Sequence, residues 1–259
     1  MNLDKNNPIP LYYQLAEQIR EQIQTGQLEA GAQIPSEREL SETFAISRMT
    51  VRQAIGYLVQ QGVLMVKKGI GTFVAEPKLT YDALHLLGFT EEVIRQGGTA
   101  TSKVLEQGVV VPPFSVITGL NLKAHETTVK IVRLRLSQNV PLLLETTYVP
   151  TALCPGLELE NLATQSLYVI LERQYELRLT RASQTFEATK ANEYESNLFG
   201  IEPGTAMILL EGVTFDNQAR PIEYFKALYR GDRFKYALES QRNGSLEIAN
   251  ATQVSVVLD

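Results

Sequence analysis

The feature that most constrains this chain is a pair of short amphipathic helices that the sequence places only a few residues apart. Ser36 is followed three residues later by Glu39, a capping box in which each side chain binds a free backbone N–H group of the other residue. Ser47 can cap the next helix, which Gly62 ends. The apolar face of that helix consists of Val51, Ala54, Ile55 and Leu58. The spacing predicts a helix-turn-helix.

A longer helix precedes this pair, and a basic hairpin follows it. After Pro10, an apolar residue recurs at every fourth position, at Leu11, Leu15, Ile19 and Ile23, which predicts an amphipathic helix. Two short strands, Val63 to Val66 and Thr72 to Val74, flank the turn KKGIG, whose glycines favour a hairpin. Three helices followed by a hairpin form a winged helix, a fold that reads DNA through its helix-turn-helix.

The distribution of charge supports this interpretation, although the formal charge of the whole chain is −5. Residues 1–42 carry −4, residues 43–75 contain no acid and carry +4, and residues 76–259 carry the remaining −5. The four bases of the acid-free segment are Arg48, Arg52, Lys67 and Lys68. They predict a small basic surface for DNA on the third helix and the hairpin. The alternative is an ordinary solvated face.

Length and cysteine content exclude several other classes of protein. At roughly 150 residues per domain, 259 residues predict two domains. Cys154 is the only cysteine, so the chain has neither an internal disulfide nor a cysteine-based metal cluster. His85 and His125 lack a third ligand at metal spacing. We therefore expect no metal and no cofactor. Because the apolar runs are too short to span a membrane, we expect a cytoplasmic protein with no membrane partner.

The stretch IPSERELSETFAISRMTVRQAIGYLVQQGVLMVKKGIGTFV resembles the winged-helix signature of the GntR family of bacterial transcription regulators. The motifs PSER, SR-x-TVR and G-x-GTFV occur in the family's order and spacing, within roughly residues 8–75. The resemblance implies DNA contacts from the second helix, the third helix and the hairpin, at Ser36, Arg38, Ser47, Arg48, Thr50, Arg52 and Gly69. The charge pattern adds Lys67 and Lys68 to these DNA-binding candidates.

The rest of the chain is rich in strands, and two hairpins within it are alike. The first joins TVKIVRLRLS to PLLLETTYVP, and the second joins Leu209 to Phe215 with PIEYFKALYRGDRF through the turn DNQAR. Each returning strand begins with Pro and contains an acid, Glu145 in the first hairpin and Glu223 in the second. These shared features favour an internal duplication.

Arg133 and Arg135 project from the same face of one strand, since they are two residues apart. Two interpretations are open. The arginines can pair with Glu145 or Glu223 in a structural salt-bridge network. Alternatively, because neighbouring guanidinium groups repel each other until an anion neutralises them, they can form a receptor for phosphate or carboxylate.

Several segments of this part resemble the UTRA effector-binding domain of the HutC subfamily, among them LGFTEEVIRQGG, VRLRL, QSLYVILERQYELRLTRASQTFEA and FGIEPG. The expected fold is therefore α+β: a winged helix-turn-helix over residues 1–75, a linker over 76–81, and over 82–259 a UTRA domain, a chorismate lyase-like mixed α/β domain with an antiparallel sheet. In phosphosugar-sensing members, the matching positions place Arg133, Arg135 and Ser166 at the anionic group of the ligand, with Phe89, Thr90 and Tyr168 nearby. Glu145, Glu223 and Tyr229 match positions that face its hydroxyl or amide side.

Three functions follow as hypotheses. The leading one is a homodimeric transcription factor, most simply a repressor, that a small anionic effector such as an amino-sugar phosphate releases from a palindromic double-stranded DNA operator. The second is a chorismate lyase-like enzyme, which a pocket with two arginines and two glutamates allows. The third is a DNA-binding module whose effector pocket is degenerate. A winged helix has no use on a lyase, so we expect no enzyme.

Overall fold

The computed structural model describes residues 3–67, 69–76, 78–82 and 86–237. Lys68 and His85, which the sequence singles out, lie outside these residues. Within the described ranges, no helix is long and apolar enough to cross a membrane.

The N-terminal part has three helices and a hairpin, as the sequence predicts. The helices are α1 (Leu11–Gln24), α2 (Glu37–Phe44) and α3 (Arg48–Gln60), and the antiparallel hairpin is β1 (Leu64–Lys67) with β2 (Gly71–Val74). The Ser36 capping box is present at the start of α2. Ser47 caps α3, where its side chain accepts a hydrogen bond from the backbone N–H group of Thr50 at 3.1 Å.

The apolar faces of these helices meet in one buried cluster. Leu15 and Ile19 of α1 pack with Val51 and Leu58 of α3, and Leu64 of β1 closes the cluster. The segment before α2 joins the hairpin, because backbone hydrogen bonds connect residues 31, 32 and 34 with residues 72 and 74. These hydrogen bonds hold the hairpin next to the helices, so its stability does not depend on the pairing of β1 with β2 alone.

The C-terminal part is built on a six-stranded antiparallel sheet. This part begins with strand β3 (Leu79–Asp82). The elements that follow it in the chain are α4 (Phe89–Arg95), β4 (Ala100–Val110), α5 (Phe114–Gly119), β5 (Thr128–Ser137), β6 (Val140–Pro150), a 3-10 turn (Leu157–Leu159), α6 (Leu167–Arg173), β7 (Leu179–Lys190), α7 (Glu193–Phe199), β8 (Ala206–Asp216), β9 (Pro221–Arg230) and β10 (Phe234–Ala237).

The strand order of the sheet is β4-β5-β6-β9-β8-β7. It consists of two three-stranded meanders, β4 to β6 and β7 to β9, which join through the antiparallel pairing of β6 with β9. The two similar hairpins of the sequence, β5-β6 and β8-β9, therefore lie side by side. Glu145 and Glu223 lie on the two strands at the junction.

Helices cover both faces of the sheet. Buried residues of α4 pack on Leu143 and Ala227, and those of α6 pack on Ile131 and Val149. On the opposite face, Phe199 of α7 packs with residues of β5, β8 and β9. The starts of α4 and α6 both lie over the face that carries Arg133 and Arg135.

The segment that the sequence suggests as a linker, residues 76–81, includes the start of a strand. Strand β3, which starts at Leu79, pairs in parallel with β10 from Phe234 to Ala237. Lys78 also contacts the C-terminal part, since its Nζ donates to the backbone oxygen of Gly231 at 2.7 Å. No turn joins two parallel strands so distant in sequence, so no turn motif in the sequence predicts that they pair.

Candidate functional site

The helix-turn-helix exposes its arginines around the start of α2. Arg38 extends into solvent and pairs with Glu42 at 2.9 Å. Arg52 of α3 donates from Nε and Nη2 to the carboxylate of Glu37, at 3.1 and 2.8 Å. This hydrogen bond and the positive charges of Arg52 and Arg48 hold the pKa of Glu37 below its usual value. Arg48 and Arg52 thus share one surface with the N-terminus of α2.

The serine and threonine candidates lie at the N-termini of the two helices. Ser36 begins α2, and Ser47 begins α3 with its hydroxyl 2.9 Å from that of Thr50. Both serine side chains are exposed. Hydroxyl and backbone N–H groups at helix N-termini are favourable partners for phosphate oxygens. The candidates of α2 and α3 therefore form one polar and basic surface.

The hairpin tip is open to solvent. Gly69 has φ +77°, a value that favours glycine, and a Cβ there would meet only open space. Ile70, beside it, is 67% exposed. The ammonium group of Lys67 lies 4.5 Å from the centre of the Phe73 ring. At Gly69 the backbone therefore faces solvent with no side chain of its own.

A second candidate site is a pocket over the sheet, with a cavity volume of about 40 Å³. It lies between the start of α4, the start of α6 and the centre of the sheet. All nine effector-binding candidates line it, namely Phe89, Thr90, Arg133, Arg135, Glu145, Ser166, Tyr168, Glu223 and Tyr229. The structure thus brings together residues that are up to 140 positions apart in the chain.

The two arginines share a single carboxylate. Arg133 and Arg135 are 2% and 3% exposed, and both donate to Oε2 of Glu145, at 2.6 and 3.2 Å. Burial alone would raise the pKa of Glu145, but the two guanidinium groups hold it below its usual value. Burial and the charge of Arg133 lower the pKa of Arg135 to about 10. Two cations and one anion leave this cluster with a net positive charge.

The arginine–glutamate network predicted as an alternative is therefore present, but it is incomplete. Within the described part of the chain, Nε and Nη1 of Arg133 and Nε of Arg135 are buried without a hydrogen-bond partner. Unsatisfied buried donors on a charged group are costly, because such a group loses its water without replacement. The cluster is suited to accept a further anion.

The start of α4 holds Arg135 in place. The hydroxyl oxygen of Thr90 accepts a hydrogen bond from Nη2 of Arg135 at 2.6 Å. The guanidinium group of Arg135 also lies 4.8 Å from the centre of the Phe89 ring, a cation–π distance. Any displacement of α4 therefore acts directly on one of the two arginines.

The other end of the pocket carries a carboxyl group in a different state. Glu223 is 2% exposed, and its Oε2 accepts hydrogen bonds from Thr214 at 2.7 Å and from Tyr168 at 3.1 Å. Burial raises the pKa of Glu223 to about 7. Near neutral pH this group can donate as well as accept, which suits a hydroxyl or an amide.

Sequence reasoning missed three polar residues at these sites. Glu37 pairs with Arg52, Thr214 binds Glu223, and Glu91 accepts a hydrogen bond from Ser166 at 2.7 Å. Glu91 had a signal, since it directly follows Thr90 in the resembling segment LGFTEEVIRQGG. Glu37 had a similar signal, since it lies between Ser36 and Arg38 in the motif PSER. The contact of Thr214 with Glu223 joins separate strands and has no such signal.

Other candidate chemistry finds little support. Among the residues that the structure describes, no group of three or more His, Cys, Asp and Glu side chains could hold a metal ion. Cys154 is buried, and burial raises the pKa of its thiol to about 12. A thiol with so high a pKa is a poor nucleophile.

Two protein-family models match this chain. The model for bacterial regulatory proteins of the gntR family matches residues 11–74, and the model for the UTRA domain matches residues 95–235. The second match alone covers more than half of the chain.

Relatives and solved structures agree with these matches. The HTH-type transcriptional repressor NagR of Bacillus subtilis is 36% identical over 236 residues, which cover 91% of this chain and 97% of NagR. The mannosyl-D-glycerate transport/metabolism system repressor MngR of Escherichia coli is 30% identical, covering 91% of this chain and 98% of MngR. The crystal structure of PhnF from Mycobacterium smegmatis aligns with a TM-score of 0.61 at 28% identity, covering 89% of this chain and 99% of PhnF. The chain belongs to the GntR family, in the HutC subfamily with its UTRA domain, and is a DNA-binding transcriptional repressor rather than an enzyme.

Proposed function

We propose that this protein is a cytoplasmic, homodimeric repressor that leaves a palindromic operator when a small anionic metabolite occupies the pocket of its UTRA domain. The observation that carries the proposal is the buried cluster of Arg133 and Arg135, which has spare hydrogen-bond donors and only one carboxylate. A ligand phosphate or carboxylate supplies the missing charge and acceptors.

The opposite end of the pocket indicates the rest of the ligand. Glu223, with a pKa of about 7, and the hydroxyl of Tyr168 suit sugar hydroxyl or amide groups. Two relatives are named for sugar derivatives, mannosyl-D-glycerate and fructoselysine. We infer a phosphorylated or carboxylated sugar derivative, with an amino-sugar phosphate as the first choice because of the resemblance to phosphosugar-sensing members.

DNA binding is assigned to the exposed surface of α2, α3 and the hairpin. Arg48 and Arg52 would enter the major groove, with the hydroxyls of Ser36, Ser47 and Thr50 on phosphates. Further contacts are assigned to Arg38, Lys67, Lys68 and Gly69. Two-fold symmetry of the dimer would match two half-sites of the operator.

Release requires that the effector prefer one arrangement of the dimer over another. Typical coupling energies are about 1–3 kcal/mol. We place the hinge between Val74 and Leu79, because β2 ends at the first residue and β3 begins at the second.

Paired variants test the two halves of this proposal. The operator is first selected from random DNA, and glucosamine 6-phosphate serves as the probe for the pocket. We expect Arg48→Ala and Arg52→Ala to lose operator binding while the probe still raises the melting temperature. Arg133→Ala should bind the operator but fail to leave it when the probe is added. Arg20→Ala, on α1, is the control for loss of a surface arginine.

Three results would contradict the proposal. Unchanged operator affinity in both DNA-surface variants would remove the groove assignment. If the probe releases Arg133→Ala as readily as the wild type, the anion site lies elsewhere. If a wide panel of sugar phosphates and carboxylates neither stabilises nor releases the wild type, the degenerate-pocket hypothesis replaces the sensor.

A further inference from the structure

One carboxylate beside the pocket already binds a pocket residue that we assign to the effector. Glu91 lies in the first turn of α4, next to Thr90. Its Oε1 accepts a hydrogen bond from the hydroxyl of Ser166 at 2.7 Å. Ser166 directly precedes α6 and lines the same pocket as Arg133 and Arg135. The resident carboxylate therefore contacts a candidate ligand of the effector's anionic group.

The carboxylate of Glu91 is only half satisfied in this position. Its Oε2 is buried and has no hydrogen-bond partner within the described ranges. That oxygen packs against Gly88, where a Cβ would overlap it. A buried anionic oxygen without a donor is unfavourable, so the contact with Ser166 is poised for exchange and is not a deeply stabilised bond.

The hydroxyl of Ser166 cannot serve two anions at once. It has a single proton to donate, and Glu91 receives it in this structure. An anion that takes this proton would also repel the carboxylate of Glu91 at short range. Binding of the anion and the contact between Glu91 and Ser166 are therefore mutually exclusive.

We propose that Glu91 is a built-in competitor of the effector's anionic group and thereby sets the affinity and selectivity of the pocket. This inference rests on the proposed function of the pocket. A ligand with a strong negative charge displaces the carboxylate onto solvent, where Oε2 gains the partners that it lacks. A neutral sugar offers only uncharged acceptors, which bind the Ser166 hydroxyl less strongly than a carboxylate does and do not repel Glu91, so Glu91 stays in place. The pocket therefore selects against neutral analogues.

The test measures binding of two probes, glucosamine 6-phosphate and inorganic phosphate, by titration calorimetry on the full chain. We expect Glu91→Ala to bind both probes about tenfold more tightly than the wild type, because a competing acceptor and a like charge are removed. Glu91→Gln should show a smaller gain, since its amide oxygen still accepts from Ser166. Glu172→Gln removes an exposed carboxylate from α6 and should bind as the wild type does.

A second variant keeps the charge but moves it. In Gly88→Ala, the new Cβ would push the carboxylate of Glu91 away from Ser166, so we expect tighter binding of inorganic phosphate in this variant also. A crystal structure of the wild type with glucosamine 6-phosphate should show Glu91 turned away from Ser166.

Failure of this inference differs from failure of the proposed function. If the wild type binds glucosamine 6-phosphate, Arg133→Ala does not, and both Glu91 variants keep wild-type affinity, then Glu91 is no competitor. A complex in which Glu91 still accepts from Ser166 also overturns the inference. If neither the wild type nor any variant binds either probe while all bind operator DNA, the proposed phosphate site at Arg133 and Arg135 fails, and the competition with it.

Discussion

At the scale of single residues, two glutamates in one pocket show how surroundings decide charge. Glu145 receives hydrogen bonds from two guanidinium groups, so its pKa is held below the usual value despite burial. Glu223 is more deeply buried and receives only two hydroxyl groups, and burial raises its pKa to about 7. The first glutamate is a fixed anion, and the second changes its charge within the physiological range.

The raised pKa of Glu223 predicts a loss of stability at higher pH. The folded protein holds this proton with a pKa of about 7, against an ordinary value of 4.5, so protonation favours folding. This contribution is fully present below pH 4.5 and is lost as the pH rises through 7. We expect the free energy of unfolding to fall by up to about 3 kcal/mol between pH 5 and 8.

Urea unfolding of the wild type and of Glu223→Gln across this pH range measures the effect. The variant keeps hydrogen-bonding atoms but has no titratable group, so its stability should depend less on pH, while other groups titrate equally in both proteins. Equal slopes for the two proteins would show that Glu223 does not hold the proton.

The sequence placed nine residues in this pocket through a resemblance, and the structure does bring them together. The sequence could not show which of these side chains bind one another. Alternation along β5 indicates that Arg133 and Arg135 share a face, but whether Glu145 or Glu223 reaches them depends on the order of the strands. The contacts of Thr214 with Glu223 and of Glu37 with Arg52 could not be predicted for the same reason, since only the tertiary fold brings these residues together.

At the scale of elements, α4 links the pocket to the strand that follows the hinge. Thr90 and Phe89, at one end of α4, contact Arg135. Gln96, at the other end, donates to the backbone oxygen of Thr80 at 2.8 Å and accepts from its N–H group at 3.1 Å. The amide thereby acts as an extra strand residue beside β3. A shift of α4 on effector binding would be transmitted to the hinge through these two bonds.

Removal of the two hydrogen bonds between Gln96 and Thr80 should separate effector binding from operator release. In Gln96→Ala we expect the affinity for glucosamine 6-phosphate to stay within about twofold of the wild type. The effector-induced change in operator affinity should fall at least threefold, since typical coupling corresponds to about 5–150-fold. Gln107→Ala removes another glutamine that binds backbone oxygens, at residues 157, 158 and 160, and is the matched control. Undiminished release in Gln96→Ala would exclude this route.

At the scale of the whole molecule, basic and acidic charge are concentrated in different functional parts of the chain. The segment 43–75 holds +4, and residues 76–259 hold the full −5. A dimer would offer its basic charge to two half-sites while its larger domains repel DNA. Affinity for random sequence should therefore be weak, and an acidic protein can still be a specific DNA binder.

The salt dependence of operator binding measures the size of this basic surface. Eight phosphate contacts per dimer correspond to a slope of about −7 in a plot of log K against log salt concentration. We expect a slope no steeper than this from fluorescence anisotropy between 50 and 200 mM salt. A slope steeper than about −7 would require cations outside the acid-free segment, and Arg38, the one assigned cation outside it, extends the limit to about −9. A slope beyond that would mean that Arg20→Ala no longer serves as a silent control.

The pairing of β3 with β10 also imposes an order on folding while the chain is being synthesised. The two strands begin about 155 residues apart, so at 5–20 residues per second the ribosome delivers β10 roughly 8–30 s after β3. The winged helix has its own buried cluster within residues 3–74 and can fold during that interval. Until β10 emerges, the hinge leads into β3 without its partner strand. A shift of α4 is then not transmitted to the hinge, because β3 is not held in place. Control of the hinge by the effector therefore requires β10 and arises after the winged helix has had time to fold.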